Sequence, residues 1–168
     1  KDETMGDEYQ IHDFQLNIDK FSGNTPMTLK IKGTLNSEKP KISLPIDLTS
    51  NITANWQSQT ILVDPLTLQV GDIIVSLSVN SNNIFGNPEV KGRIKIATFN
   101  PKPLLNQLAI PIRTADKTAL TRITINMDFE GSQQKFASDQ LAIDIDGTTL
   151  GGTFAIENFK QPSYRFNL

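Results

Sequence analysis

From Ile42 to Trp56 every second residue is apolar or small: Ile42, Leu44, Ile46, Leu48, Ser50, Ile52, Ala54 and Trp56. Between them lie Ser43, Pro45, Asp47, Thr49, Asn51, Thr53 and Asn55. A period of two, with one dry and one wet face, marks a half-buried strand. Pro45 cannot donate to a ladder, so the strand is expected to be an edge or to bend there. The pattern predicts further strands over 11–19, 27–35, 60–70, 73–80, 89–98, 119–130, 136–145, 149–157 and 163–168. Turn residues separate several of them, notably Gly71-Asp72, Glu130-Gly131-Ser132 and Asp146-Gly147. One segment breaks the period. Asn100 is placed to cap a helix, Pro101 to open it and Phe99 to staple its first turn, and Leu104, Leu105 and Leu108 form one apolar stripe. Pro111 then predicts its end, which gives a helix of about two turns over 101–108.

The chain also repeats itself. Val63-Asp64-Pro65-Leu66-Thr67-Leu68-Gln69-Val70-Gly71-Asp72 is echoed by Ser138-Asp139-Gln140-Leu141-Ala142-Ile143-Asp144-Ile145-Asp146-Gly147. Leu48, Ser50, Ile52 and Ala54 precede the first phrase as Ile123, Ile125, Met127 and Phe129 precede the second, in the same register. Leu77–Val79 matches Phe154–Ile156 after a small gap, and Pro88 and Pro162 introduce a last strand in each copy. Two related four-strand units are therefore expected, over about 41–98 and 119–168. Ile18, Phe21 and Pro26 hint at part of an earlier one. Repeated strand units can stack into a long surface.

Such a sheet must cover its apolar face. About ten strands spaced at 4.8 Å, each about 20 Å long, give a face on the order of 950 Å². A two-turn helix covers about an eighth of that. Soluble monomers rarely expose apolar patches beyond a few hundred Å². The face can close as a sandwich or barrel, curl into a trough whose floor holds a hydrocarbon ligand, or face a bilayer as a membrane barrel. The one Trp and two Tyr show no aromatic girdles, which disfavours the membrane barrel. Repetition favours the trough.

Composition narrows the chemistry. The net charge is −2, with 16 basic and 18 acidic residues, so there is no broad footprint for nucleic acid. With no cysteine, disulfides and thiolate metal sites are excluded. No run is long enough for a transmembrane helix or the core of a signal peptide. Asp139, Asp144 and Asp146 do not have the spacing of a calcium loop, and His12 has no second histidine to share a metal. No nucleophile-elbow, P-loop, dinucleotide or zincin motif is present. The reading is non-enzymatic, without cofactor or metal.

The residues from Phe99 onward carry a resemblance. Phe99-Asn100-Pro101 opens a helix with Leu104-Leu105. Thr114-Ala115-Asp116 precedes Ala119-Leu120. Asp144 to Gly152, Phe159 and Arg165-Phe166-Asn167-Leu168 follow. This region resembles the C-terminal part of the AsmA family of Gram-negative envelope proteins, closely over about 70 residues and more loosely upstream. It departs at Gly147, where the family usually has Asp, and at Lys117, where it usually has Pro. The resemblance implies a mainly β, curved antiparallel groove of about ten strands with one short helix, as in the repeating β-groove lipid-transfer proteins. It implies a periplasmic fragment of a larger protein anchored in the inner membrane through parts absent here. The implied role is to bind or conduct phospholipid between inner and outer membranes, contributing to outer-membrane lipid homeostasis and assembly.

On that reading residues 1–9 are a polar tail and 10–168 a single domain, with Leu168 falling inside a strand pattern. The candidate groove lining is Ile42, Leu44, Ile46, Leu48, Ile52, Trp56, Leu66, Leu68, Val70, Ile123, Ile125, Met127, Phe129, Leu141, Ile143, Ile145, Phe154 and Ile156. Leu104, Leu105 and Leu108 are expected to plug or cap the sheet. The alternative is an extracytoplasmic β-sandwich with a closed core that binds glycan or protein.

Overall fold

A computed structural model describes residues 9–19, 25–116 and 118–167. The chain is a ten-stranded antiparallel meander in which every strand pairs with its sequence neighbours. The strands are β1 (Tyr9–Ile18), β2 (Met27–Glu38), β3 (Lys41–Asn55), β4 (Thr60–Val70), β5 (Ile73–Asn82) and β6 (Glu89–Phe99). Helix α1 (Pro101–Gln107) follows, then β7 (Ile123–Gly131), β8 (Lys135–Ile145), β9 (Thr148–Glu157) and β10 (Ser163–Asn167). The sheet does not close: β1 and β10 are its two edges. β1 and β2 continue the same sheet, so the first strands belong with the rest. Tyr9 lies inside β1 and not in a tail, and 119–122 is irregular, so β7 starts at Ile123. Lys1–Glu8, Phe21, Lys117 and Leu168 lie outside the described residues.

Among the described residues no second layer covers the sheet, which corrects the closed-sandwich alternative. Among the described residues only Ile42, Pro101 and Ala137 are buried apolar side chains. The accessible surface is 11673 Å², where a closed monomer of 18.6 kDa would show about 8,200 Å². The strands are also longer than expected, up to 15 residues in β3. The sheet face is accordingly about 1,700 Å², and α1 covers less than about a tenth of it.

Four bulges set the shape. Ladder register shifts place an extra residue in β1 between His12 and Gln15, in β4 at Asp64-Pro65, in β6 at Ala97-Thr98 and in β8 at Asp139-Gln140. A bulge bends its strand and raises the local twist, so the long strands curl instead of lying flat. The β4 and β8 bulges fall at the same point of the two echoed phrases. The β4–β5 and β8–β9 hairpins then share their register: Leu68 faces Val75 as Ile143 faces Leu150, and Val63 faces Val79 as Ser138 faces Phe154. At a constant spacing of 75 residues no gap is needed there. The preceding hairpins differ by two residues, with Leu48 facing Leu68 but Ile125 facing Ile143. An even offset keeps the same side chains on the same face.

Pro45 lies within β3, an internal strand. Its carbonyl accepts Gly71 N at 3.0 Å, so its missing donor points toward the place where β4 is already turning away. The proline sits at a local end of the β3–β4 ladder, which explains why an internal strand tolerates it.

Gly92 is a close-approach position. A Cβ there would lie 2.5 Å from both Phe129 Cζ and the Ser78 carbonyl oxygen. The Phe129 ring covers Gly92 across the β6–β7 pair. Gly92→Ala is therefore expected to destabilise the protein by about 1–3 kcal/mol. Gly151→Ala, whose nearest contact would be at 3.9 Å, should stay within about 0.5 kcal/mol. Urea denaturation of the two variants measures the contrast.

Candidate functional site

Cross-strand register assembles one apolar face. One row runs Leu29, Ser50, Leu66, Leu77, Ile94, Met127, Leu141 and Gly152 across β2 to β9. The next runs Leu16, Ile31, Leu48, Leu68, Val75, Ile96, Ile125, Ile143 and Leu150 across β1 to β9. Nine strands carry the second row about 38 Å. Because paired residues share a face, these rows form a continuous aliphatic floor.

Seventeen of the eighteen residues proposed from sequence lie on this face. Ile42 is buried and the other sixteen are half-buried, packed by their neighbours on each side and open above. Trp56 is the exception. It lies in the β3–β4 turn, 49 % exposed, stacked on Phe85 at 6.1 Å. The sequence reading missed Leu29 and Ile31 on β2, Val63, Val75 and Leu77 on β4 and β5, and Ile94 and Ile96 on β6. It also missed Phe136 and Phe166. These join Phe129 and Phe154 in a line of rings, with centroid distances of 5.4, 5.7 and 6.4 Å from Phe129 to Phe136 to Phe154 to Phe166. Alternation signals every one of these positions. The bulges hide only Val63 and Phe136, which share a face with Leu66 and Leu141 although an odd number of residues away.

Two hydroxyls interrupt the floor. Ser50 and Ser138 are 0 % and 3 % exposed, and their Oγ atoms have no hydrogen-bond partner. Ser50 stands opposite Leu66, beside the β4 bulge, and Ser138 directly precedes the β8 bulge. The bent strands leave room for a small side chain there. An unpaired buried hydroxyl is destabilising.

The opposite face is polar and held by cross-strand charge pairs. Lys32 Nζ lies 2.8 Å from Asp47. Arg93 Nη2 donates to Asp128 Oδ2 at 2.8 Å while its Nε donates to Oδ1. Hydrogen bonds from Arg93 hold the Asp128 carboxyl below the usual carboxylate range. Lys135 donates to Glu130 at 2.8 Å, and Arg165 pairs with Glu157. Leu62, Asp64, Arg93, Asp128 and Asp139 help line a shallow cleft of about 510 Å³ on this face. Among the described residues no group of three His, Cys, Asp or Glu could hold a metal, and His12 is exposed with its ring 3.1 Å from the Gln10 amide oxygen.

At one rim α1 stands beside the floor. Asn100 Oδ1 accepts Lys102 N at 3.0 Å, as an N-cap does. Pro103, Leu104 and Gln107 share a cleft of about 370 Å³ with Leu44, Val70 and Ile73. Leu104, Leu105 and Leu108 are half-buried. After α1 the chain is pinned by Asp146, whose carboxylate accepts the amides of Leu120, Thr121 and Arg122. These bonds, Thr121 first, depress its pKa. Asp144 similarly accepts Gly147 N and the Thr149 hydroxyl. The two acids thus serve backbone geometry.

No family model, curated protein or solved structure matches the chain.

Two outcomes follow from these groups. Ser50→Ala should leave stability unchanged or raise it by up to about 1 kcal/mol in urea denaturation. Asp146→Ala should speed hydrogen exchange at the Leu120–Arg122 amides. Because the folded pKa is depressed, Asp146 stabilises fully above the ordinary carboxyl pKa. That contribution is lost as pH falls through the depressed value, so acidification should loosen the same amides in the parent protein and change them less in the variant.

Proposed function

We propose that this chain is a non-enzymatic segment of an AsmA-like envelope protein that binds or conducts phospholipid along its apolar floor. The observation that carries this reading is the aliphatic row from Leu16 to Leu150 across nine strands, with no second layer over it among the described residues. An acyl chain gains about 0.8 kcal/mol for each CH₂ it buries there, while a headgroup stays in water above the open trough. Rows of similar side chains offer many near-equivalent positions, which suits movement better than one tight pocket. The resemblance of the region from Phe99 onward supplies the envelope setting. On this proposal the segment works in the periplasm.

Lipid extraction and mass spectrometry test it. Protein purified from membrane extract should carry phospholipid. Leu68→Asp and Ile143→Asp, which put a charge into the middle row, should cut bound lipid by roughly tenfold or more with the strand signal in circular dichroism intact. Folded parent protein that emerges free of lipid after exposure to membrane extract would refute the reading.

A further inference from the structure

Exposed aromatic side chains gather on the rim opposite α1. Trp56 in the β3–β4 turn, Phe85 in the β5–β6 loop and Phe159 in the β9–β10 turn are 49, 67 and 50 % exposed. The loops that carry these rings and lie between them, 56–59, 83–88, 132–134 and 158–162, contain no acidic residue and one cation, Lys160, while the β1–β2 connection at the far end of the same rim begins with the acidic Asp19. The α1 rim differs. Its turns at Lys39-Pro40, Gly71-Asp72 and Asp146-Gly147 are charged and carry no aromatic side chain. Its long connection exposes Ile110 and Ile112 but also contains Lys102, Arg113 and Asp116.

The aromatic rim is also preset. Ile84 N donates to Gln59 O at 3.3 Å, which ties the Phe85 loop to the Trp56 turn. Gln133 Nε2 donates to Gly86 O at 3.2 Å from the next loop. Asn83 Nδ2 donates to Asn87 O at 3.1 Å, and Ser58 N to Asn55 Oδ1 at 2.9 Å. The Trp56 and Phe85 rings stack with 19° between their planes. Ordering these loops in advance removes part of the entropic cost of docking.

Two features point to the partner. The tips are strung along one rim for roughly 30 Å, a linear arrangement that meets a plane better than it fills a pocket. Aromatic rings among uncharged amides, with one lysine, match the chemistry of the bilayer interface, where the ring is dehydrated and the polar groups stay wet. We propose that this rim docks into the interfacial layer of a lipid bilayer, with Trp56, Phe85 and Phe159 as anchors. The proposal concerns the rim alone and holds whatever the floor carries.

Trp56 is the chain's one tryptophan, so its emission reports on this rim. With vesicles of equal parts phosphatidylcholine and phosphatidylglycerol, Trp56 emission should shift to the blue and be quenched by spin labels near the headgroups. A Phe85→Ser, Phe159→Ser double variant should partition roughly tenfold more weakly or worse, with its strand signal and floor-bound lipid unchanged. If the double variant does not fold, Phe159→Ser alone, outside the Trp56–Phe85 stack, should still weaken partitioning. Unchanged Trp56 emission on vesicle addition overturns the proposal. So does vesicle binding that survives the rim variants and is lost in Ile143→Asp, or a Trp56 response to soluble oligosaccharide and not to vesicles. Lipid mass measured on the purified protein is a separate readout, so the floor and rim proposals fail independently.

Discussion

The backbone ladder carries this structure. In a closed domain a shared core ties distant elements together. Here each strand pairs only with its neighbours in sequence, and the apolar side chains pack sideways along the floor instead of against an opposing layer. Cross-strand pairs contribute only roughly 0.2–1 kcal/mol each, so cohesion is spread over many small terms. Charge pairs such as Lys32–Asp47 and Arg93–Asp128 occupy the polar face at positions directly opposite in the ladder. They reinforce register more than they add stability, since exposed pairs are worth little. A chain held this way behaves as a nearly one-dimensional array.

Curvature then depends on a few residues that interrupt regular pairing. The bulges at Asp64-Pro65, Ala97-Thr98 and Asp139-Gln140 fall in alternate strands. Small residues accompany them on the apolar face: Ser50 and Ser138 beside bulges, and Gly92 under the Phe129 ring. Their side chains are too short to resist bending, and the aromatic ring restores the contact that glycine lacks. The hinge-like connection around α1 is fixed differently, by one carboxylate. Asp146 gathers three successive amides that would otherwise have no partner in that irregular stretch.

The two rims of the trough differ in chemistry while the floor is apolar along most of its length. One rim carries charged hairpin turns and the helix that shares a cleft with Leu44 and Val70. The other carries preset loops with exposed rings, and from the Trp56 turn to the Phe159 turn those loops hold a single charge, Lys160. An apolar floor suits a ligand that is recognised by its hydrocarbon alone. Unequal rims give the sheet a direction, so that it can sit in one orientation against a partner even though the floor has none.

Most of the fold was legible because alternation is a local signal. The run from Ile42 to Trp56 read directly as β3, and Asn100-Pro101 with Leu104 read as a capped helix. The echoed phrases located two hairpins of matching register. The floor was harder to read. A one-residue bulge reverses parity, so Val63 and Leu66 could not be placed on one face from spacing, and β1 and β2 could not be assigned to the same sheet. Trp56 extended the β3 alternation by two residues but fell in the turn, since period two continues in sequence after the ladder has ended. The sequence by itself determined that every strand has one wet and one dry side, because side-chain chemistry fixes which face can meet water. Only the tertiary structure decided that the dry side stays open. Closure depends on how long paired strands bend and whether β1 can reach β10, and that is a property of the whole sheet.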